Sequence, residues 1–358
     1  MKATQNLHDA GQSLWLDNIT RDLLTSGTLK RYIDTLSVTG LTSNPTIFDE
    51  AVSKSAAYDE DIRTLTKSGL GREDLFFRLA IADLRRAADL FRPIHERTAG
   101  VDGWVSLEVS PLLAYDSART VAAAKTLHDA AARPNLFIKI PGTKEGLAAI
   151  EESTFSGIAV NVTLLFSREH YLDAADAHMR GLERRIAAGL SPDVRSVASL
   201  FVSRWDKATM ETLPAELRDR LGIAVAQSTN AAYRDLLDSD RWQRLENSGA
   251  RPQRLLFAST GTKDPAAPDT LYIGALAAPN TINTMPEKTL LEFADHGVVD
   301  GALPRDGGDA AATLKAVASA GVDPAELASR LQSEGAKSFD DSWSDLLKAI
   351  ETKSHALS

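Results

Sequence analysis

Four short apolar segments of the 358-residue chain carry polar side chains at alternate positions. Successive residues of a strand point to opposite sides of a sheet, so alternation sorts side chains by face. In 135–141 (NLFIKIP), Leu136, Ile138 and Ile140 share one side while Phe137 and Lys139 share the other. In 104–110 (WVSLEVS), Val105, Leu107 and Val109 oppose Ser106, Glu108 and Ser110; in 157–166 (GIAVNVTLLF), Ile158, Val160 and Val162 oppose Ala159, Asn161 and Thr163. In 13–19 (SLWLDNI), Leu14 and Leu16 oppose Trp15 and Asp17. If the apolar sides meet a layer of helices, Lys139, Glu108, Asp17, Asn161 and Thr163 gather in one interior. Taken singly, each has a plainer reading, an edge lysine or a capping carboxylate. Four strands making the same statement favour a functional cluster, because buried charges held only for packing are costly.

The chemistry open to such a cluster follows from its groups. Desolvation lowers the pKa of an amine and keeps it nucleophilic, the condition for attack on a ketone to form a Schiff base. Imine formation needs proton shuttles, since the carbinolamine must lose water. Aldol-type cleavage also needs a base for the hydroxyl β to the imine. Glu108 and Asp17 are two carboxylates able to divide that work.

The elements that must position these groups read as β/α units. Apolar runs at 13–19, 38–43, 104–110, 135–141, 157–166, 196–204, 254–260 and 271–279 are eight candidate strands, separated by longer Ala-, Leu- and charge-rich stretches of helical period. Eight strands with intervening helices predict a (β/α)8 TIM barrel, and the candidate residues fall at the carboxyl ends of their strands, where such barrels carry their sites. A typical barrel takes roughly 250 residues, so the excess is assigned to helical insertions near 45–98 and 206–250 and to a helical C-terminal region near 286–353. Asp323-Pro324-Ala325-Glu326 marks a helix start. Phe339, Trp343, Leu346, Leu347 and Ile350 recur at helical spacing, so a C-terminal helix is expected to dock on the barrel. No low-complexity linker divides the chain, and residues 1–358 are read as one elaborated barrel domain.

Composition narrows the functions. Forty basic against 49 acidic residues give a net charge of −9, which provides no overall field for nucleic acid or anionic membrane. With no cysteine, disulfides, thiolate metal sites and cysteine nucleophiles are out. No signal sequence or membrane-spanning run is visible, so a cytoplasmic protein is expected; a homo-oligomer is compatible with the composition. GTK at 142–144 and 261–263 lacks the glycine spacing of a P-loop, no G-x-G-x-x-G occurs, and seven scattered histidines include no H-E-x-x-H, so no metal is expected.

The segments LWLDNI, GLTSNPTIF, SLEVSPLLAYD, NLFIKIPGTKEG, GIAVNVTLLFS and ASLFVSRWD together resemble the signature strands of the transaldolase family, in that family's order. The length, the YIGALAAPNTINTMP segment and the SFDDSWSDLLKAI helix resemble its longer bacterial branch. The resemblance implies that Lys139 forms the Schiff base, that Asp17 is the acid/base on the C4 hydroxyl, and that Glu108 acts through a water held by Thr163. It implies substrate contacts from Asn44, Asn161, Ser199 and Phe201 and a phosphate grip by Arg204. The implied reaction carries a dihydroxyacetone unit from sedoheptulose 7-phosphate to glyceraldehyde 3-phosphate, with sugar phosphates as its only partners and no cofactor. One departure concerns the second phosphate contact. Where many members carry Ser-x-Arg, this chain has Ser259-Thr260-Gly261, with Lys263 two residues beyond, and lysine lacks the arginine fork.

Three other readings compete. A fructose 6-phosphate aldolase-like enzyme would keep the imine and lose the transfer, but such aldolases are much shorter chains. A barrel glycoside hydrolase would use Asp17 and Glu108 as paired carboxylates and leave Lys139 unexplained. A silent sugar-phosphate binder would have no use for the full catalytic set.

Overall fold

The computed structural model describes residues 2–299 and 301–357. Eight parallel strands close into a barrel in sequence order: β1 (Ser13–Asp17), β2 (Val38–Thr42), β3 (Trp104–Glu108), β4 (Leu136–Pro141), β5 (Val160–Leu165), β6 (Ser196–Phe201), β7 (Gln253–Ala258) and β8 (Ile282–Met285), with β8 pairing back to β1. The register puts Asp17 beside Thr42, Glu108 beside Lys139, and Lys139 beside Asn161. Paired residues of neighbouring strands share a face, so these side chains enter the barrel together, near its carboxyl end. Below them Trp104 stacks on Phe137 at 4.1 Å between centroids, with Trp15 6.1 Å from Phe137. This aromatic floor separates the polar layer from the amino end.

After β2, β4 and β5 the next helix starts within three residues. Asn44, Asp116, Thr143 and Ser167 each accept a backbone N–H with their side chains and begin the helices Pro45–Lys54, Ser117–Ala131, Lys144–Phe155 and Arg168–Ala187. The insertion after β2 holds the helices Pro45–Lys54, Asp59–Thr66 and Arg72–Arg97. The stretch between β6 and β7 has three α-helices, Ser203–Thr209, Leu221–Asp238 and Asp240–Asn247. The final helix, Pro324–Leu357, begins where the Asp323 motif predicts, with the Asp323 carboxylate accepting from the Ala325 and Glu326 amides.

Two expectations are corrected. The run at 271–279 is no strand: Leu271–Ala275 forms a helix with Tyr272 and Ile273 buried, and the eighth strand is Ile282–Met285. A short unbroken apolar run reads alike as buried strand or buried helix. The true strand escaped because half of its four residues are polar; Asn283 accepts from the Thr260 hydroxyl and Thr284 bonds Thr42. The region from 286 is also less helical than expected. Residues 297–299 and 301–309 lie between helices, in a stretch rich in glycine and carrying Pro304. Among the described residues no helix is long and apolar enough to cross a membrane.

Candidate active site

Lys139 sits late in β4, 5% exposed, and its ammonium donates to Glu108 Oε2 at 3.1 Å and to the Ser43 carbonyl at 3.1 Å. Asp17, the last residue of β1, accepts from the Thr42 hydroxyl at 2.8 Å. Burial pushes both carboxyls above the ordinary carboxylate range; the Lys139 cation counteracts this without cancelling it, and for Glu108 the nearby Asp17 charge adds to the rise. Asp17 still touches the cavity, whereas Glu108 lies beneath it, walled in. Two carboxyls with raised proton affinity against one buried amine make a set that can pass protons, at a cost to stability.

A cavity of about 250 Å³ opens above this layer. Of the eleven residues singled out from sequence, nine line it: Asp17, Asn44, Lys139, Thr163, Ser199, Phe201, Arg204, Ser259 and Lys263. The other two lie one layer down. Glu108 is bonded to Lys139, and Asn161 donates to Ser106 Oγ at 3.1 Å while accepting from the Ser199 hydroxyl at 2.7 Å. That chain fixes which end of the Asn161 amide faces each neighbour. Asn44 spends its side-chain oxygen on the Ile47 amide at 3.0 Å, which leaves its NH2 group for a ligand. Glu108 Oε1 and Thr163 Oγ1 are buried polar atoms with no partner among the described residues. Buried polar atoms without protein partners mark positions for water or substrate.

Part of the cavity wall is cationic. Arg204 lies over the Phe201 ring, 5.3 Å from its centroid, and neither Arg204 nor Lys263 makes an ion pair or side-chain hydrogen bond among the described residues. Both have their pKa lowered by desolvation, Lys263 further by the charges of Lys207 and Arg204. Ser259, whose φ is +55°, bonds Ser203 through their hydroxyls at 2.9 Å. Cations crowded together, with the Glu334 and Asp17 charges offsetting them only in part, are arranged for an anion.

Strand alternation could have found Thr42, which also lines the cavity, but not its neighbour Thr284 on the missed strand β8. It could not have found Phe339. This residue of the final helix lines the cavity with its ring centroid 5.6 Å from Lys139 Nζ. Its helical spacing shows only that it docks.

A parallel barrel whose mouth holds a buried amine, two carboxyls and a cationic wall has the equipment of a carbonyl-condensing enzyme acting on anionic substrates. Residues 14–350 match the family model described as Transaldolase/Fructose-6-phosphate aldolase. The chain is 47% identical to a transaldolase of Parafrankia sp. (strain EAN1pec), over 98% of this chain and 97% of that protein. It is also 47% identical to a transaldolase of Thermobifida fusca, over 97% and 96%, and 43% identical to transaldolase 2 of Streptomyces coelicolor, over 98% and 97%. The chain belongs to the transaldolase/fructose-6-phosphate aldolase family.

Proposed function

We propose that this chain is a transaldolase, a transferase that moves a dihydroxyacetone unit from sedoheptulose 7-phosphate to glyceraldehyde 3-phosphate. The products are erythrose 4-phosphate and fructose 6-phosphate, as in the non-oxidative pentose phosphate pathway. The observation that carries the reading is Lys139 Nζ, 3.1 Å from a buried carboxyl, on a cavity it shares with Asp17.

In this reading Lys139 passes a proton to Glu108 and the freed amine attacks the ketose C2 carbonyl. Glu108, through a water held at Thr163 Oγ1, supplies the proton with which the carbinolamine loses water, giving the iminium. Asp17 then takes the C4 hydroxyl proton, the C3–C4 bond breaks, and its electron pair enters the iminium to give an enamine. Erythrose 4-phosphate leaves. The Asn44 NH2 group, backed by Asn161 one layer down through Ser199, orients the enamine while the acceptor aldehyde enters, its phosphate drawn to Arg204, with Lys263 and Ser259 beside it. Enamine carbon attacks the aldehyde, Asp17 returns its proton to the new alkoxide, and water releases the product from Lys139. Ser199 orients Asn161, and Phe201 supports the Arg204 plane. The sequence needs no metal or organic cofactor and suits an enzyme working among soluble sugar phosphates in the cytoplasm.

The test is intact mass after fructose 6-phosphate and borohydride, with peptide mapping. A reduced dihydroxyacetone adduct on Lys139, lost in Lys139→Ala together with turnover, is expected. No adduct on folded protein would sink the reading. Dependence of turnover on an aldehyde acceptor separates transfer from the simple aldol cleavage that the family description also names.

A further inference from the structure

The final helix, Pro324–Leu357, crosses the carboxyl end of the barrel and meets the strands that carry Lys139 and Thr163. The Gln332 side-chain NH2 donates to the Gly142 carbonyl at 3.1 Å and to the Leu164 carbonyl at 2.9 Å. Gly142 follows β4 directly, three residues beyond Lys139, and its own amide donates to the Thr163 carbonyl at 2.7 Å. Leu164 follows Thr163.

The Leu164 carbonyl stands at irregular backbone. Against β6, Val162 pairs with Ala198 and Leu165 with Leu200, so β5 carries one residue more than its neighbour across Thr163 and Leu164. Leu164 takes φ +59° there, a region unfavourable to a residue with a branched side chain, and holds it while fully buried. Such a bulge re-aims a side chain and persists only where its surroundings hold it. The contact leaves little slack. A Cβ on Gly142 would lie 2.4 Å from Leu165 Cδ2, and one on Gly335, three residues beyond Gln332, would lie 3.1 Å from Leu164 Cδ2. The helix therefore rests on the bulge at the distance the Gln332 bonds require.

We propose that Gln332 is a positioning residue for the imine chemistry: its amide ties the end of β4 to the bulge of β5 and so sets Thr163 Oγ1 relative to Lys139 and Glu108. The inference rests on the transaldolase reading, since Thr163 matters only if Lys139 forms and releases an imine. Misplacing a reacting constellation by about 1 Å costs on the order of 100-fold in rate, and loss of both bonds frees the bulge without removing any group that touches substrate.

The test compares wild type, Gln332→Leu and Gln332→Glu for kcat, KM and the rate of borohydride-trapped adduct formation at Lys139 with fructose 6-phosphate, from pH 6 to 8. Gln332→Leu is expected to lose roughly 10- to 100-fold in kcat and in trapping rate, with KM changed much less. Gln332→Glu keeps the shape but faces two carbonyls with a carboxylate. Its activity relative to wild type is expected to rise as pH falls, because a protonated carboxyl regains one donor. Folded variants trapping adduct at the wild-type rate would overturn the inference while leaving the Schiff base standing. If Gln332→Leu fails to fold, the Gln332→Glu ratio decides alone: a ratio flat across pH overturns the inference. Absence of an adduct in the wild type would overturn the reading beneath it, and the inference with it.

Discussion

Asp17 carries opposite consequences for activity and stability. Its proton affinity is raised because desolvation outweighs the attraction of Lys139 and Lys263 and the Thr42 bond. The folded chain then holds this proton more tightly than the unfolded one, so stability falls as pH rises from the ordinary aspartate range through the raised value. The loss grows with pH until that raised value is passed. Asp17→Asn is therefore expected to melt higher than wild type at pH 7, with the gain shrinking toward pH 4, while turnover falls by about 100-fold or more and the Lys139 adduct still forms. Melting scans across pH with a trapping assay check this, and a lower melting point at pH 7 would contradict it. The positions of Asp17, Glu108, Lys139, Asn161 and Thr163 were legible in the sequence because a strand's two-residue period gives each side chain a side. Gln332 and Phe339 were not, since a helical stripe says that a face is covered without saying by what.

Seven strands were legible, four by alternation and three as bounded apolar runs, and the eighth was not, because Ile282–Met285 is brief and half polar. Elements also depend on single buried groups, and Asp206 ties three helices together. It belongs to the helix Ser203–Thr209, accepts the Leu221 and Gly222 amides that open the helix Leu221–Asp238, and accepts the Tyr272 hydroxyl at 2.8 Å from Leu271–Ala275. Burial pushes its carboxyl up to about 6, although every one of those bonds favours the charged form. Its contribution is thus fullest below the unfolded value near 4 and is lost as pH rises through about 6. Asp206→Asn keeps an acceptor for the helix amides and sheds the buried charge. It is expected to raise the melting point by a few degrees at pH 7.5, since a shift of about two units corresponds to on the order of 2–3 kcal/mol. Below about pH 4 the difference should vanish. Thermal melts at the two pH values decide, and a variant less stable at pH 7.5 would mean that the Tyr272 bond outweighs the desolvation.

At the scale of the whole molecule, the insertion after β2 and the final helix form one construction over the mouth. Trp343 is buried edge-on against Phe76 and tilted against Phe77, with ring centroids at 4.9 and 5.6 Å, and Phe76 packs in turn on Phe48 of the helix Pro45–Lys54. Polar contacts pin the helix along its length: Ser342 to Thr46 at 2.7 Å, Glu351 to Arg72 at 3.1 Å and Lys353 to Asp59 at 2.9 Å. One helical turn before Trp343, Phe339 faces Lys139. The aromatic seat thus holds the ring that covers the amine, and a transferase needs such cover, because its enamine must survive until an aldehyde arrives and must not be protonated by water. Trp343→Ala removes the seat's largest side chain at a cost of about 3–5 kcal/mol, without touching a residue on the cavity. Hydrogen exchange in 324–357 is expected to rise. The same variant should release a larger share of the three-carbon unit as free dihydroxyacetone, measured against fructose 6-phosphate formed from a fixed supply of acceptor. Faster exchange with an unchanged product ratio would show that the barrel walls alone keep water from the enamine, and that the helix serves stability without guarding the reaction.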